Sequence, residues 1–85
     1  METIKIFRIE EVGNATEHLV LGNTAEQVQR YIKEREYGDE NMPAGFFHTT
    51  VLRDMGMYKE TQPRLLATIL TDDDILYVGG EEIRL

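Results

Sequence analysis

The chain contains no cysteine, no tryptophan and no serine. The lack of cysteine excludes a disulfide framework, a thiolate-held zinc and a thiol nucleophile, and the lack of serine excludes a serine nucleophile. Positive charge is also scarce. Nine Lys and Arg stand against sixteen Asp and Glu, a net charge of −7 with a pI near 4.7. The bases are scattered, and most have an acid within four positions. Direct nucleic-acid binding needs a basic footprint that displaces counterions, and an anionic membrane surface also attracts basic segments. Neither partner is expected. No apolar run approaches the ~20 residues of a membrane helix. The opening METIKIFRIE alternates apolar and charged residues and lacks the charged-then-apolar signal pattern. The expected location is the cytoplasm. Asn14-Ala15-Thr16 matches the glycosylation tripeptide and reads as a chance match in a turn.

What is present suffices for one core. Apolar residues make up 41% of the 85-residue chain and charged residues 29%, which separates it from disordered polymers. A chain of this size buries roughly 60% of its unfolded surface. Residues 1–85 are therefore expected to form a single domain.

Residues 2 to 12 read as a strand, with Thr3, Lys5 and Arg8 between Ile4, Ile6, Phe7 and Ile9. The parity slips at Ile6-Phe7, which predicts a bulge or a strand covered on both faces. Gly13-Asn14 is a turn signal, and His18 to Leu21 reads as the hairpin partner. A helix is expected from Ala25 to Glu36. Thr24 and Gln27 form a T-x-x-Q capping box, Ala25, Val28, Tyr31, Ile32 and Arg35 share one face, and Gly38 supplies a left-handed stop. Phe46 to Arg53 reads as a strand, broken by Met55-Gly56-Met57, with a loop from Tyr58 to Pro63. The spacing over Arg64 to Thr71 suits helix or strand. Strand is preferred, because Thr71 to Asp74 then turns into Ile75 to Val78, and Gly79-Gly80 is a two-residue hairpin signal into Glu81 to Leu85. The predicted class is α+β, with one helix on a mostly antiparallel sheet in the order ββα and then three to four strands. The expected core draws on Ile4, Ile6, Phe7, Ile9, Leu19, Leu21, Val28, Tyr31, Ile32, Phe47, Val51, Leu66, Leu70, Leu76 and Val78.

Candidate chemistry is sparse. His18 and His48 are the sole imidazoles, and no metal-ligand spacing joins them; both read as ordinary surface or half-buried histidines. Asp72-Asp73-Asp74 fails as a calcium loop, because the sixth position from Asp72 is Tyr77 and the twelfth is Ile83. Thr49 and Thr50 lie mid-chain, without the free amine that activates a threonine nucleophile. No Gly-rich phosphate cradle exists. No cofactor, no metal and no catalytic residue is expected, and the chain reads as a non-enzyme. Tyr37, Phe46 and Tyr58, and Met42, Met55 and Met57, read first as packing residues and second as contact surface.

The acidic clusters remain. Glu10-Glu11, the run Glu34, Glu36, Asp39 and Glu40, then Asp72, Asp73 and Asp74, and finally Glu81-Glu82 recur along the chain. Gathered on one flank, they would present carboxylates much as a duplex presents phosphates. The expected partner is then a basic protein surface, such as a nuclease or another nucleic-acid-binding complex, engaged by steering and occlusion. Glu34, Glu36, Asp39, Glu40, Asp72, Asp73 and Asp74 are the candidate contact residues. In length, acidity and lack of cysteine the chain resembles the small inhibitory proteins that phages deploy against host nucleases, anti-CRISPR proteins among them. That resemblance is one of composition. It implies a binding protein of phage or mobile-element type and assigns no residue. The alternative is a homodimer or other assembly pairing through a sheet edge, with Glu82 to Leu85 and Glu2 to Ile9 as the candidate edges.

Overall fold

The computed structural model describes residues 2–13, 15–38, 47–70, 73, 75–79 and 81–84. Strands β1 (Thr3–Glu11) and β2 (Thr16–Gly22) are followed by helix α1 (Ala25–Tyr37). Strands β3 (Phe47–Tyr58), β4 (Arg64–Leu70), β5 (Ile75–Val78) and β6 (Glu81–Arg84) come after it. The six strands form one antiparallel sheet in the order β3-β1-β2-β4-β5-β6. The α+β class is thus observed, with four strands after the helix and β4 as strand. Its extents are 38 × 29 × 18 Å. The short dimension accommodates the sheet and a single helix of ~10 Å diameter.

The helix is specified locally. Thr24 is extended at φ −129° and its hydroxyl accepts from the Gln27 N–H, satisfying one donor left over by the first turn. Gln27 reaches back one residue further than a capping box requires: its Oε1 accepts from the Asn23 N–H at 2.7 Å. Gly38, at φ 65°, ends the helix and donates to the Glu34 carbonyl, a conformation that costs glycine nothing. Val28 and Ile32 are fully buried against Phe7, Ile9, Val20 and Phe47, with Tyr31 and Leu65 packed on that cluster. Burying each of these side chains stabilises the fold by roughly 1.5–3 kcal/mol. Ala25 and Arg35 of the expected apolar stripe are exposed, so the core-facing stripe is short.

The hairpin β1–β2 is regular, but β3 is three residues longer than the β1 segment it pairs with. One surplus residue is absorbed opposite Ile6/Phe7 and two opposite Thr3/Lys5. The parity slip at Ile6-Phe7 therefore belongs to a bulge carried by the neighbouring strand. Met55-Gly56-Met57, expected to end that strand, instead bulges within it. Gly56 takes φ 72°, and its N–H donates to Asp54 Oδ1 at 2.9 Å. Two further expectations are corrected. Val51 and Val78 are 48% and 42% exposed, because Val51 sits on the edge strand and Val78 on the uncovered face. Glu2 to Ile9 offers no edge, because β3 pairs along β1; the edges are β3 and β6.

Asn23 ties the β2–α1 corner together. Its Nδ2 donates to the carbonyls of Glu2, Thr3 and Lys59, and its Oδ1 accepts from Thr61 N–H at 2.8 Å. One buried amide thus holds the start of β1, the end of β2 and the β3–β4 connection.

Candidate functional site

Antiparallel pairing turns the sheet into cross-strand rows. On the helix side one row runs Thr49, Ile9, His18, Thr68, Tyr77, Glu82. His18 is 1% exposed, against the expectation of a surface or half-buried imidazole. Its Nε2 lies 2.7 Å from Glu11 Oε2 and its Nδ1 2.9 Å from Thr68 Oγ1. The ring thus bridges a carboxyl and a hydroxyl, and Thr68 completes a chain from β1 through β2 to β4. Glu11 is itself 6% exposed, and among the described residues its Oε1 has no hydrogen-bond partner. This is the polar centre that sequence reasoning missed. Its signal was the hairpin parity, which places Glu11 and His18 in the buried set with Phe7, Ile9 and Val20.

Beside it, a cavity of about 380 Å³ opens between the last turn of α1 and strands β4–β5. Arg35, Glu36, Leu65, Thr68, Leu70 and Tyr77 are among its lining residues. The cavity wall joins the helix C-terminus to the end of β4, where Asp73 N–H donates to the Leu70 carbonyl. Glu36 and Asp73, both exposed, thus belong to one end of the molecule. Glu34 is exposed on the same last turns of α1. Glu10 and Glu17, paired with each other across β1–β2 near the hairpin turn, lie at this end too. Asp39, Glu40, Asp72 and Asp74 lie outside the described residues.

Bases accompany part of this charge. Arg8 bridges Glu10 at 2.9 Å and also Glu17. Its hydrogen bond to Glu17 holds the guanidinium above its ordinary value; desolvation opposes this, and the Glu17 and Glu10 charges add to it. Arg35 lies 3.9 Å from Glu36, and Arg84 3.3 Å from Glu82. At the other end of the sheet stand Lys5, Arg53 and Arg64, in register with Gly22, Ile6 and Leu21 respectively, together with Glu2, which bridges Lys5 at 3.2 Å, and Asp54, which pairs with Lys5 across β1–β3. Acids therefore outnumber bases at the hairpin end, while the other end is mixed.

The face away from the helix carries three rows. The first is Glu10, Glu17, Ile69, Leu76, Ile83; the second Arg8, Leu19, Ala67, Val78; the third Arg53, Ile6, Leu21, Arg64. Among the described residues, α1 is the one element that packs on a sheet face. Apart from the small, buried Ala67, the apolar residues of these rows are left half-buried or, for Val78 and Ile83, exposed.

Among the described residues no three His, Asp or Glu converge as a metal would require, and no helix is long and apolar enough to cross a membrane. Comparison with protein-family models, curated proteins and solved structures returns no match.

Proposed function

We propose that the chain is a non-enzymatic protein-binding module whose acidic end engages a basic protein surface. The observation that carries this reading is the excess of acids at one end of the molecule. Glu10, Glu17, Glu34, Glu36 and Asp73 sit at the hairpin and helix-C-terminal end, while at the other Lys5, Arg53 and Arg64 are offset by Glu2 and Asp54. Glu10 and Glu17 stand on paired strands and Glu34 and Glu36 on a capped helix. Little ordering entropy is then spent on presenting them. Such an end steers a basic partner from about a Debye length away, ~8 Å in cellular salt, and then covers it. The sharpest form of the reading is a phage or mobile-element inhibitor that occludes the nucleic-acid-binding surface of a host protein.

The test is capture from host lysate at low and high salt, beside a Glu34→Lys/Glu36→Lys/Asp73→Lys variant whose folding is checked by circular dichroism. The expected result is a nucleic-acid-binding protein retained at low salt by the native chain, lost at high salt and lost by the reversed variant. Capture that ignores both salt and reversal overturns the proposal.

A further inference from the structure

The uncovered sheet face poses a separate question. Half-buried Leu19, Leu21, Ile69 and Leu76, with exposed Val78 and Ile83, form a continuous apolar field on it. Isolated exposed apolar residues are ordinary, but a contiguous field of this kind marks a contact surface, and a sheet apolar on both faces is normally covered on both.

We propose that this face pairs with the same face of a second copy, giving a two-fold symmetric sandwich. Charge selects the occupant and the geometry. One edge of the field carries Glu10 and Glu17; the opposite edge carries Arg53 and Arg64. Among the described residues no carboxylate forms an ion pair with either of these arginines. A surface with acids on one edge and unpaired arginines on the other is complementary to itself when turned over, as an isologous contact demands. Two aligned sandwiches are available at the ~10 Å spacing of packed sheets. A two-fold axis along the strands lays Glu10 and Glu17 on Leu76 and Ile83 of the other copy, burying charge against hydrocarbon. An axis across the strands lays them against the Arg53–Ile6–Leu21–Arg64 row instead. The second arrangement brings Glu10 and Glu17 beside Arg53 and Arg64 at both borders and stacks Leu19, Ala67 and Val78 on themselves, with Arg8 of the two copies meeting at one side of that row, each held by its own Glu10 and Glu17.

The size fits as well. Six strands about 4.8 Å apart and some six residues of ~3.3 Å rise give a face of roughly 29 by 20 Å. Once side-chain relief is counted, this is of the order of the ~800 Å² per partner that stable interfaces bury. The sheet edges are poorer candidates for pairing. The β3 edge is interrupted by its two bulges, and β6 is four exposed residues, three of them charged. The inference does not rest on the acidic-end reading: it takes Glu10 and Glu17 into the sandwich and leaves Glu34, Glu36 and Asp73 outside it for a partner. With the axis across the strands the two acidic ends point to opposite poles, so the dimer offers two such ends and gains from a repeated basic partner.

Sedimentation velocity over a concentration series tests the proposal on the full chain. The expected result is a dimer that Val78→Glu, a change at an already exposed position, converts to a folded monomer. Arg64→Glu weakens the dimer at least about tenfold, by loss of an interfacial charge pair. A chain that stays monomeric at the highest concentration reached overturns the proposal, and so does a dimer indifferent to Val78→Glu. The Glu34/Glu36/Asp73 reversal leaves the dimer intact, so failure of one reading is distinguishable from failure of the other.

Discussion

Removing the imidazole of His18 should unfold the protein more readily than any loss of packing volume there explains. Glu11 and His18 are 6% and 1% exposed, and their contact is 2.7 Å. His18→Leu keeps an apolar body of similar size in the row but leaves the Glu11 carboxylate buried, with Oε2 joining Oε1 in having no partner. Breaking a buried pair on one side costs about 3–5 kcal/mol. An 85-residue domain has a total stability of roughly 4–13 kcal/mol at 0.05–0.15 kcal/mol per residue. The loss is therefore a large share of the whole and lowers Tm by more than about 12 °C at ~4 °C per kcal/mol. Glu11→Leu is milder, about 1–3 kcal/mol, because a neutral imidazole that still bonds Thr68 leaves one unsatisfied nitrogen. The double change Glu11→Leu/His18→Leu removes both polar groups and should sit near the native stability or above it. Urea unfolding followed by far-ultraviolet circular dichroism measures all three, with a constant m-value as the check on two-state behaviour. A His18→Leu protein within about 0.5 kcal/mol of the native chain refutes the argument, given the spread expected of neutral surface changes. A double variant less stable than either single refutes it too.

The other structural predictions are more local. Asn23→Ala removes the amide that links four half-exposed backbone groups and should cost about 1–3 kcal/mol; loss of amide protection in β1 but not in β5 would show that the corner opens first. Gly22→Ala places a Cβ 3.0 Å from Gln27 Oε1 and closer still to Val28 Cγ1, so α1 must lift from β2, at about 1–3 kcal/mol; an unchanged urea midpoint would count against that packing. Asp54 accepts from Gly56 N–H and from the Thr3 hydroxyl, which hold its carboxyl below the usual aspartate value. A depressed carboxyl favours the folded state above the usual aspartate range, and that contribution is lost as pH falls through the folded value. Thr3→Val should move the Asp54 midpoint upward in a carboxyl-carbon NMR titration, and an unmoved midpoint would mean that the hydroxyl contributes nothing.

Much of the fold was legible where local chemistry decides it. Thr24 and Gln27 announce the helix start, Gly38 its end, and Gly79, at φ 59°, the last hairpin. Each of these signals acts within a few residues, so no knowledge of the rest of the chain is needed. Strand order is a different matter. Nothing within β1 says that β3 returns to lie along it, because that pairing joins residues 36 to 55 positions apart and depends on where α1 delivers the chain. For the same reason β1 looked like an edge, and Val51 like core, until β3 was placed outside it. The strand also looked finished at Met55, because a glycine with positive φ reads as a turn when the partner that accommodates a bulge is unknown.

The site was less legible, for a related reason. A lone glutamate and a lone histidine carry little information separately, and Glu11 and His18 become a pair only through the hairpin register, which sets Ile9 opposite His18 and leaves Glu11 one inward position further along. Had the alternation Phe7, Ile9, Glu11 been carried across the turn to His18 and Val20, the two polar residues would have been found in the buried set, each as the other's partner. The charge asymmetry was hidden in the same way. Net charge is a property of composition, but where it gathers depends on register, which pairs Glu10 with Glu17 at the hairpin and sets Arg53 and Arg64 beside Ile6 and Leu21 at the far end. Those two arginines decide between the two sandwiches open to the bare face. The sequence shows them only as two of nine scattered bases, whereas the sheet shows them as the one border of that face where a second copy's Glu10 and Glu17 find opposite charge.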